Sequence, residues 1–218
     1  MLLRDKIALV TGSTHNIGLG IASAFGREGA KVVVHSRHEE DARKVAQQIH
    51  GDYFVADVSD PEQIAAMFGH VRDQHGRLDI LVNSVAHSSE AGVLEVGLDE
   101  WHRILKINLT GYFLCIQYAG KMMKEQGGGV MINISAGSGE RSSPGGAAYS
   151  VSKGAVNALT RQAAVDLAPY NIRVNGIISG LVGTPIGQKE MGNRKPEYDM
   201  IPLRVSGTRK TSPRRRFF

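Results

Sequence analysis

The stretch Ile7-Ala8-Leu9-Val10-Thr11-Gly12-Ser13-Thr14-His15-Asn16-Ile17-Gly18-Leu19-Gly20 decides the fold. Its first four residues are a short apolar run, which is typical of a buried strand, and a helical pattern begins at Ile17. The glycine-rich segment between them is a turn that joins the strand to the helix. A doubly wound α/β fold binds a pyrophosphate at such a turn, because backbone N–H groups and the positive end of the helix dipole meet there. The stretch therefore predicts a dinucleotide-binding fold.

The rest of the chain repeats this alternation of apolar runs and helical patterns. Further strands are predicted at 31–35, 52–56, 78–83, 130–135 and 172–177. Helices are predicted at 17–28, 39–49, 98–126 and 147–170. A further helix is predicted to begin at 59–62, where a capping residue is followed by a proline and an acid. Strands that are apolar throughout and separated by helices imply a parallel sheet that is covered on both faces. The sequence thus predicts an α/β fold, a doubly wound (Rossmann) parallel sheet of six strands.

The composition is that of an ordinary globular protein. Hydrophobic residues make up 42% of the chain and charged residues 22%. No run approaches the roughly 18 apolar residues of a membrane span, and the first residues lack the layout of a signal peptide. The single cysteine, Cys115, allows no internal disulfide, and no cluster has the spacing of metal ligands. We therefore expect a cytoplasmic protein with a single domain, 1–203, and with no metal or membrane partner.

The formal net charge of +5 is concentrated near the C-terminus. Residues 204–218 hold six of the 26 lysines and arginines and no acid, so residues 1–203 carry 20 basic and 21 acidic side chains. The folded part is therefore close to neutral, which argues against a nucleic-acid partner. The segment 204–218 has no strand or helix pattern, and its polar composition predicts a disordered tail.

Tyr149 and Lys153 are the first candidates for chemistry. Four residues apart, they stand on the same face of the helix predicted at 147–170. An unperturbed tyrosine has a pKa of about 10, which is too high for a base at neutral pH. A nearby ammonium favours the phenolate and lowers that pKa, so the pair can transfer protons. Two solvated side chains are the alternative interpretation of this spacing alone.

Further motifs stand in order around this pair, over roughly residues 5–203. In chain order they are Asp57-Val58, Asn83-Ser84-Val85-Ala86, Asn108-Leu109-Thr110-Gly111 and Ser179-Gly180-Leu181-Val182-Gly183-Thr184. Together with the turn and the pair, they resemble the short-chain dehydrogenase/reductase family. The turn is similar to the family's TGxxxGxG motif, and Tyr149 and Lys153 are similar to its YxxxK pair. Each motif is modest alone, but jointly they are specific.

The resemblance implies an oxidoreductase that interconverts a carbonyl and a secondary alcohol of a small molecule by hydride transfer. It implies that Tyr149 is the general acid/base, that Lys153 assists it and holds the nicotinamide ribose, and that Asn108 supports a proton-relaying water. It also implies a homo-oligomer formed through helices 100–125 and 147–170. The cofactor contacts that it implies are Gly12, Thr14, His15, Asn16, Ile17, Gly18, Ser36, Arg37, Asp57, Val58, Asn83, Ala86, Tyr149, Lys153, Val182 and Thr184.

Charge at the end of the second strand bears on the choice of cofactor. An acid there would accept hydrogen bonds from the ribose 2′-OH of NAD and repel a 2′-phosphate. This chain instead has Ser36 followed by Arg37, with His15 in the turn and His38 beyond. A hydroxyl and a guanidinium suit a 2′-phosphate, so the sequence predicts NADP(H) in preference to NAD(H). A solvated Arg37 is the alternative interpretation.

The chain departs from the family pattern at the serine that binds the substrate oxygen. That serine most often lies thirteen residues before the tyrosine, where this chain has Ala136. Ser135 and Ser138 flank the position and either could replace it, although side chains alternate along a strand and Ser135 would face away unless the strand bends. We name Ser135 as the fourth catalytic candidate. Losing such a donor can lower the rate on the order of 10²–10³-fold, so a catalytically impaired nucleotide-binding remnant is the alternative function.

Two more departures concern the turn and the end of the chain. Asn16 stands where the family has a glycine, and asparagine tolerates a positive φ better than other residues that carry a side chain. After Arg204 the family would continue through a last helix and a seventh strand, for which this sequence has no pattern. We therefore expect a C-terminally truncated or frameshifted member of the family, with an unpaired strand edge.

Overall fold

A computed structural model describes residues 1–142, 145–180 and 182. The strands in this part of the chain are β1 (Ile7–Val10), β2 (Lys31–Ser36), β3 (Asp52–Val55), β4 (Ile80–Asn83), β5 (Gly129–Ala136) and β6 (Ile172–Ser179). The α-helices are α1 (Asn16–Arg27), α2 (Glu39–Gln48), α3 (Pro61–His75), α4 (Leu98–Leu105), α5 (Gly111–Glu125) and α6 (Ala147–Leu167). Short 3₁₀ turns follow β5 (Gly137–Gly139) and α6 (Ala168–Tyr170). Every predicted strand is present, and most of the predicted ends differ from the observed ones by one or two residues.

The strands form one sheet in the order β3-β2-β1-β4-β5-β6. The pairings β1–β2, β1–β4, β2–β3 and β4–β5 are all parallel. The chain order reverses at β1, whose neighbours are β2 and β4, and doubly wound sheets bind ligands at the carboxyl end of such a switch point. The predicted doubly wound parallel sheet is thus confirmed, and the glycine-rich turn after β1 lies at the switch point.

Helices cover both faces of the sheet, as continuous apolar strands require. Successive residues of β1 enter different cores: Leu9 packs in the core formed with α3, α5 and α6, whereas Ala8 and Val10 pack in the core formed with α1 and α2. Burial on both faces stabilises the sheet by about 25 cal/mol for each Å² of apolar surface removed from water. The candidate residues Ser36, Asn83 and Ser135 lie at or next to the carboxyl ends of their strands, where the site is built.

The helix predicted at 98–126 is divided by a π-helical turn. Helix α4 ends at Leu105, the turn spans Lys106–Thr110, and α5 begins at Gly111. The N–H of Gly111 donates to the carbonyl of Lys106, five residues back. The prediction of one uninterrupted helix is therefore wrong, because an extra residue in one turn leaves the apolar pattern almost unchanged. The π-helical turn contains Asn108, one of the catalytic candidates.

Residues Met1–Ile178 form one compact unit. The predicted domain boundary at residue 203, the expected loss of a seventh strand and the predicted tail, 204–218, all lie outside the described residues. Among the helices that the structure describes, none is long and apolar enough to cross a membrane.

Candidate active site

The glycine-rich turn after β1 has the backbone conformation that its residues predict. Gly12 has φ 64° and Asn16 has φ 48°, both in the left-handed region that few residues with a side chain adopt. Asn16 thus takes the positive φ expected of the glycine that it replaces. Gly18 is needed for a different reason, since a Cβ on it would lie 2.2 Å from the carbonyl oxygen of Gly12. The start of α1 therefore packs directly against the turn.

The N-terminus of α1 is open to an anion. His15 at the N-cap makes no capping bond through its side chain, and the first turn of the helix contains no acidic residue. The N-cap and the first turn of α1 thus supply no negative charge to the N-terminal N–H groups, and the positive end of the helix dipole favours a phosphate there. Gly12 and Gly18 carry no side chain that would keep a ligand away from the backbone. These residues fit the pyrophosphate of a dinucleotide.

Ser36 and Arg37, at the end of β2, lie beside the turn. Ser36 Oγ accepts hydrogen bonds from the Thr14 hydroxyl at 3.3 Å and from the His38 N–H at 3.1 Å. The Arg37 side chain is 58% exposed, and its Nη1 lies 4.0 Å from Asp57 Oδ2. Burial raises the pKa of Asp57, but hydrogen bonds and the charge of Arg37 together bring it below its ordinary value. Asp57 is therefore charged at neutral pH and only loosely paired with Arg37.

The remaining cofactor candidates before the fifth strand follow β3 and β4. Val58 is buried just beyond β3, and Ala86 is exposed beyond β4. Asn83 ends β4 and is completely buried, and its Nδ2 donates to Asn133 Oδ1 at 2.9 Å. Because β1 to β4 are parallel neighbours, all of these positions lie at the same edge of the sheet as the turn.

Tyr149 and Lys153 lie on one face of α6, beside the end of β5. Lys153 is 2% exposed, and its Nζ donates to the carbonyl of Ile134 at 2.9 Å. The same Nζ lies 5.8 Å from the centre of the Tyr149 ring. Burial lowers the pKa of Lys153 to about 8. A lysine with such a pKa can release and take up protons near neutral pH.

Asn108 is completely buried in the π-helical turn and joins three parts of the site. Its Oδ1 accepts from the N–H of His87 at 2.8 Å, and its Nδ2 donates to the carbonyl of His87 at 2.9 Å. Nδ2 also donates to Ser152 Oγ at 3.0 Å, and that hydroxyl donates to the carbonyl of Tyr149 at 2.7 Å. Asn108 thus fastens the loop after β4 to the start of α6, with both hydrogens of its amide engaged.

Known proteins resemble this chain over most of its length. A family model described as enoyl-(acyl carrier protein) reductase matches residues 12–211. A 3alpha-hydroxysteroid dehydrogenase of Mediterraneibacter gnavus is 36% identical over 210 residues, which span 93% of this chain and 82% of the relative. The chain belongs to the short-chain dehydrogenase/reductase family.

Two solved dehydrogenases have the same fold. NAD⁺-bound xylitol dehydrogenase superposes with a TM-score of 0.90 at 30% identity, over 96% of this chain and 89% of its own. A gluconate 5-dehydrogenase from Burkholderia cenocepacia J2315, in complex with NADP and tartrate, gives a TM-score of 0.89 at 30% identity, over 95% and 84%. The chain is thus an oxidoreductase of the short-chain dehydrogenase/reductase family with an NAD(P)-binding Rossmann fold.

The position of the family's substrate serine is occupied by Ala136, at the end of β5. Ser135 is buried, and its Oγ donates to the carbonyl of Lys153 at 3.1 Å. Ser138 Oγ is buried with no hydrogen-bond partner among the described residues, and Ser138 lines a cavity of about 860 Å³ together with Val151 and Gly154. At 100° per residue, Val151 is on the opposite face of α6 from Tyr149. Ser135 therefore bonds to the helix backbone, and Ser138 lies beside the other face of the helix.

Tyr112 is a residue of this site that sequence reasoning missed. Its ring centre lies 5.1 Å from Lys153 Nζ, and its hydroxyl donates to the carbonyls of Val85 at 2.9 Å and Ile134 at 3.3 Å. Burial raises the pKa of Tyr112, so the hydroxyl stays protonated. An aromatic face at this distance attracts a desolvated ammonium. Tyr112 lies four residues after Asn108 and therefore on the same helix face, and this spacing could have indicated that it belongs to the site.

The last predicted contacts lie near the end of the described chain. Val182 is half-buried, and Thr184 lies outside the described residues. Within 1–142 and 145–180, no three His, Cys, Asp or Glu side chains are grouped so that they could hold a metal ion. Cys115 is buried, and burial raises the pKa of its thiol to about 12, so it is unreactive at neutral pH.

Proposed function

We propose that this chain interconverts a carbonyl and a secondary alcohol of a small molecule with NADP(H), using Tyr149 as the general acid/base. The observation that carries the proposal is the buried ammonium of Lys153, which is 5.8 Å from the Tyr149 ring on the same face of α6. Burying a cation is unfavourable, so a lysine here is better explained by chemistry than by stability. The relatives named as steroid, xylitol and gluconate dehydrogenases support the same class of reaction.

Tyr149 delivers a proton to the carbonyl oxygen during reduction and removes it during oxidation. The Lys153 ammonium stabilises the phenolate, and a pKa of about 8 lets the lysine exchange protons with water near neutral pH. When bound, the nicotinamide dinucleotide supplies or accepts the hydride. The protein orients the substrate beside Tyr149 and transfers the proton.

Asn108 connects this pair to water in the proposal. Its side-chain amide is engaged by His87 and Ser152, so a relay water would bind at its backbone carbonyl. π-Helical turns frequently occur at functional sites, which is consistent with that role. Substitution of Asn108 is expected to loosen the loop after β4 as well as to slow proton transfer.

The cofactor is proposed to lie along the carboxyl edge of the sheet. The uncapped N-terminus of α1 and the left-handed Gly12 and Asn16 support a pyrophosphate at the turn. The rest of the assignment follows the family pattern: Ile17 and Gly18 at the pyrophosphate, Thr14 and His15 near the adenosine ribose, Asp57 and Val58 at the adenine, and Asn83, Ala86, Lys153, Val182 and Thr184 toward the nicotinamide end.

The preference for NADP(H) rests on the end of β2. The Arg37 side chain is exposed, and its 4.0 Å pairing with Asp57 is weak enough to be exchanged for a phosphate. Ser36 Oγ accepts two hydrogen bonds, so its own hydrogen can be donated to a phosphate oxygen. One related structure holds NAD⁺ and another holds NADP, so membership of the family alone does not decide the preference.

The reaction is tested by mixing the full chain with NADPH and a panel of ketones and following NADPH absorbance. Tyr149→Phe should lower kcat about 10²-fold or more, because the proton donor is lost. Tyr118→Phe is the matched control, since it removes the same hydroxyl from a tyrosine on α5 whose ring stacks on that of Phe68. A folded protein that binds NADPH but reduces no ketone would overturn the proposal.

The cofactor preference is tested with Arg37→Glu, which should weaken NADPH binding about tenfold or more relative to NADH. Arg43→Glu makes the same change of charge on an exposed position of α2 and should leave the ratio of the two dissociation constants unchanged. Tighter binding of NADH than NADPH by the unmodified chain would contradict the preference.

A second candidate function is a catalytically impaired protein that still binds the nucleotide. The observation that favours it is the bond of Ser135 Oγ to the Lys153 carbonyl, together with the absence of a hydroxyl at Ala136. Ala136→Ser decides between the two functions. Turnover that rises on the order of 10²-fold in this variant favours the impaired protein, whereas a change of less than about threefold favours an active enzyme that works without this serine.

We also propose that copies of the chain pair through α5 and α6. Phe113 on α5 is 45% exposed, and Val151 and Val165 on α6 are 49% and 71% exposed, so both helices carry apolar side chains that a second copy could cover. The native mass in solution tests the pairing. Phe113→Glu should convert a dimer or tetramer to a smaller species, and an unmodified chain that is monomeric at micromolar concentration would refute the proposal.

A further inference from the structure

We propose that His35 is a positioning residue for the cofactor, because its buried imidazole fixes the backbone of the glycine-rich turn. None of the segments that identify the family contains His35. The inference rests on the proposed binding of the dinucleotide at that turn, and it assigns a role to a polar side chain that is 2% exposed within β2.

The partners of the imidazole determine its tautomer. The N–H of Gly12 lies 3.0 Å from His35 Nδ1, and the carbonyl of Ala56 lies 3.0 Å from His35 Nε2. A backbone N–H can only donate and a carbonyl can only accept, so Nδ1 is unprotonated and Nε2 carries the hydrogen. The neutral ring is thus an acceptor toward the turn and a donor toward the segment after β3.

The backbone of His35 holds the next residue of the turn as well. Its N–H donates to Ser13 Oγ at 2.9 Å, and its carbonyl accepts from the Ser13 N–H at 3.1 Å. Ser13 is completely buried. Two consecutive residues of the turn are therefore tied to one residue of β2. The bond to Ala56 extends the connection to Asp57, the candidate for the adenine contact.

The consequence for binding follows from the conformation of Gly12. With φ 64° its N–H is directed at His35 Nδ1, and a half-buried N–H without an acceptor is costly. Without that acceptor the turn is expected to leave this conformation for part of the time. Apparent affinity falls in proportion to the fraction of molecules that remain competent to bind. Burial lowers the pKa of His35 to about 4, which keeps Nδ1 an acceptor at neutral pH.

Two substitutions separate the two bonds of the ring. In His35→Asn the side-chain oxygen can occupy the place of Nδ1 and still accept from Gly12, but the bond to Ala56 is lost. In His35→Gln the amide nitrogen can reach the place of Nε2 and still donate to Ala56, but Gly12 loses its acceptor. Each variant removes one bond of the ring and replaces an aromatic side chain with an amide, so they are controls for each other.

NADPH is titrated into the unmodified full chain and both variants, with thermal midpoints measured in parallel. The Kd for NADPH should rise about tenfold or more in His35→Gln and less than about threefold in His35→Asn. The loss should appear in KM for NADPH rather than in kcat at saturating NADPH. Equal affinities in the two variants, or a loss that follows the thermal midpoints alone, would overturn the role of His35.

If the unmodified chain binds neither NADPH nor NADH, the cofactor site itself is refuted and the role of His35 with it. Nitrogen NMR of the unmodified chain tests the geometry without any variant. A protonated Nε2, an unprotonated Nδ1 and a scalar coupling from the Gly12 amide to Nδ1 support it, and the opposite tautomer would overturn it.

Discussion

Replacing Lys153 with methionine should stabilise the fold while it abolishes turnover. Methionine has a similar length and no charge, so it removes the burial penalty of the ammonium. The bond from Nζ to the Ile134 carbonyl is lost, but that carbonyl still accepts from the Tyr112 hydroxyl at 3.3 Å. The Tyr112 hydroxyl shares its one hydrogen with the Val85 carbonyl at 2.9 Å, so the Ile134 carbonyl keeps only a weak bond to it. The removal of the charge is still expected to dominate the change in free energy of unfolding.

The magnitude follows from the lowered pKa of Lys153, which is about 8 in the folded protein and 10.5 in the unfolded chain. Each pKa unit corresponds to about 1.4 kcal/mol, so the charged lysine destabilises the fold by about 3 kcal/mol at pH 7. The folded state binds fewer protons than the unfolded chain between these two values, so the penalty is complete below pH 8 and disappears as pH rises toward 10.5. At pH 10 about 1 kcal/mol should remain.

The assay is urea unfolding of the cofactor-free protein at pH 7 and at pH 10, with and without the substitution. We expect Lys153→Met to be more stable by about 1–3 kcal/mol at pH 7, with the difference shrinking at pH 10. Lys121→Met is the control, since Lys121 is exposed and also lies near a tyrosine ring, 5.6 Å from that of Tyr118. A Lys153→Met protein that is less stable at pH 7, with no dependence of the difference on pH, would refute the reasoning.

Three further predictions concern the glycine-rich turn, Asp52 at the start of β3 and Tyr112 in the site. Gly18→Ala should weaken NADPH binding about tenfold or more in a fluorescence titration, because its Cβ would lie 2.2 Å from a carbonyl of the turn; Gly20→Ala, with nothing within 4 Å, should have no effect. Asp52→Asn should lower the free energy of unfolding by about 1 kcal/mol at pH 7, since two histidine side chains share this carboxylate. Burial raises the pKa of Asp52, but the hydrogen bonds from the histidines and from the Tyr53 N–H outweigh burial and bring it below 3.8. The difference should therefore shrink as pH falls below 3.8, and an unchanged difference at low pH would count against the role of the charge. Tyr112→Phe should lower the free energy of unfolding by about 1 kcal/mol by leaving a loop carbonyl without its donor, and an unshifted urea midpoint would disprove this.

The sequence predicted β1 correctly but did not predict the break between α4 and α5. The apolar run at Ile7 predicted a strand buried on both faces, and the alternation of such runs with helices predicted a doubly wound parallel sheet. The order of the strands came only from the structure. The π-helical turn at Asn108 was not predicted, because one extra residue in a helix alters hydrogen bonding without altering composition. Within the site, the spacing of four residues was enough to predict that Tyr149 and Lys153 lie on one helix face.

The sequence by itself determined where the strands and helices lie, the positive φ at Asn16 and the placement of Tyr149 and Lys153 on one helix face, because each depends on residues that are close together in the chain. The tertiary structure alone decided the surroundings of these residues. The contact of His35 with Gly12 joins residues 23 positions apart, and the bond of Lys153 to Ile134 joins residues 19 apart. Such contacts depend on which strands and helices become neighbours, and burial then sets the charge of each group.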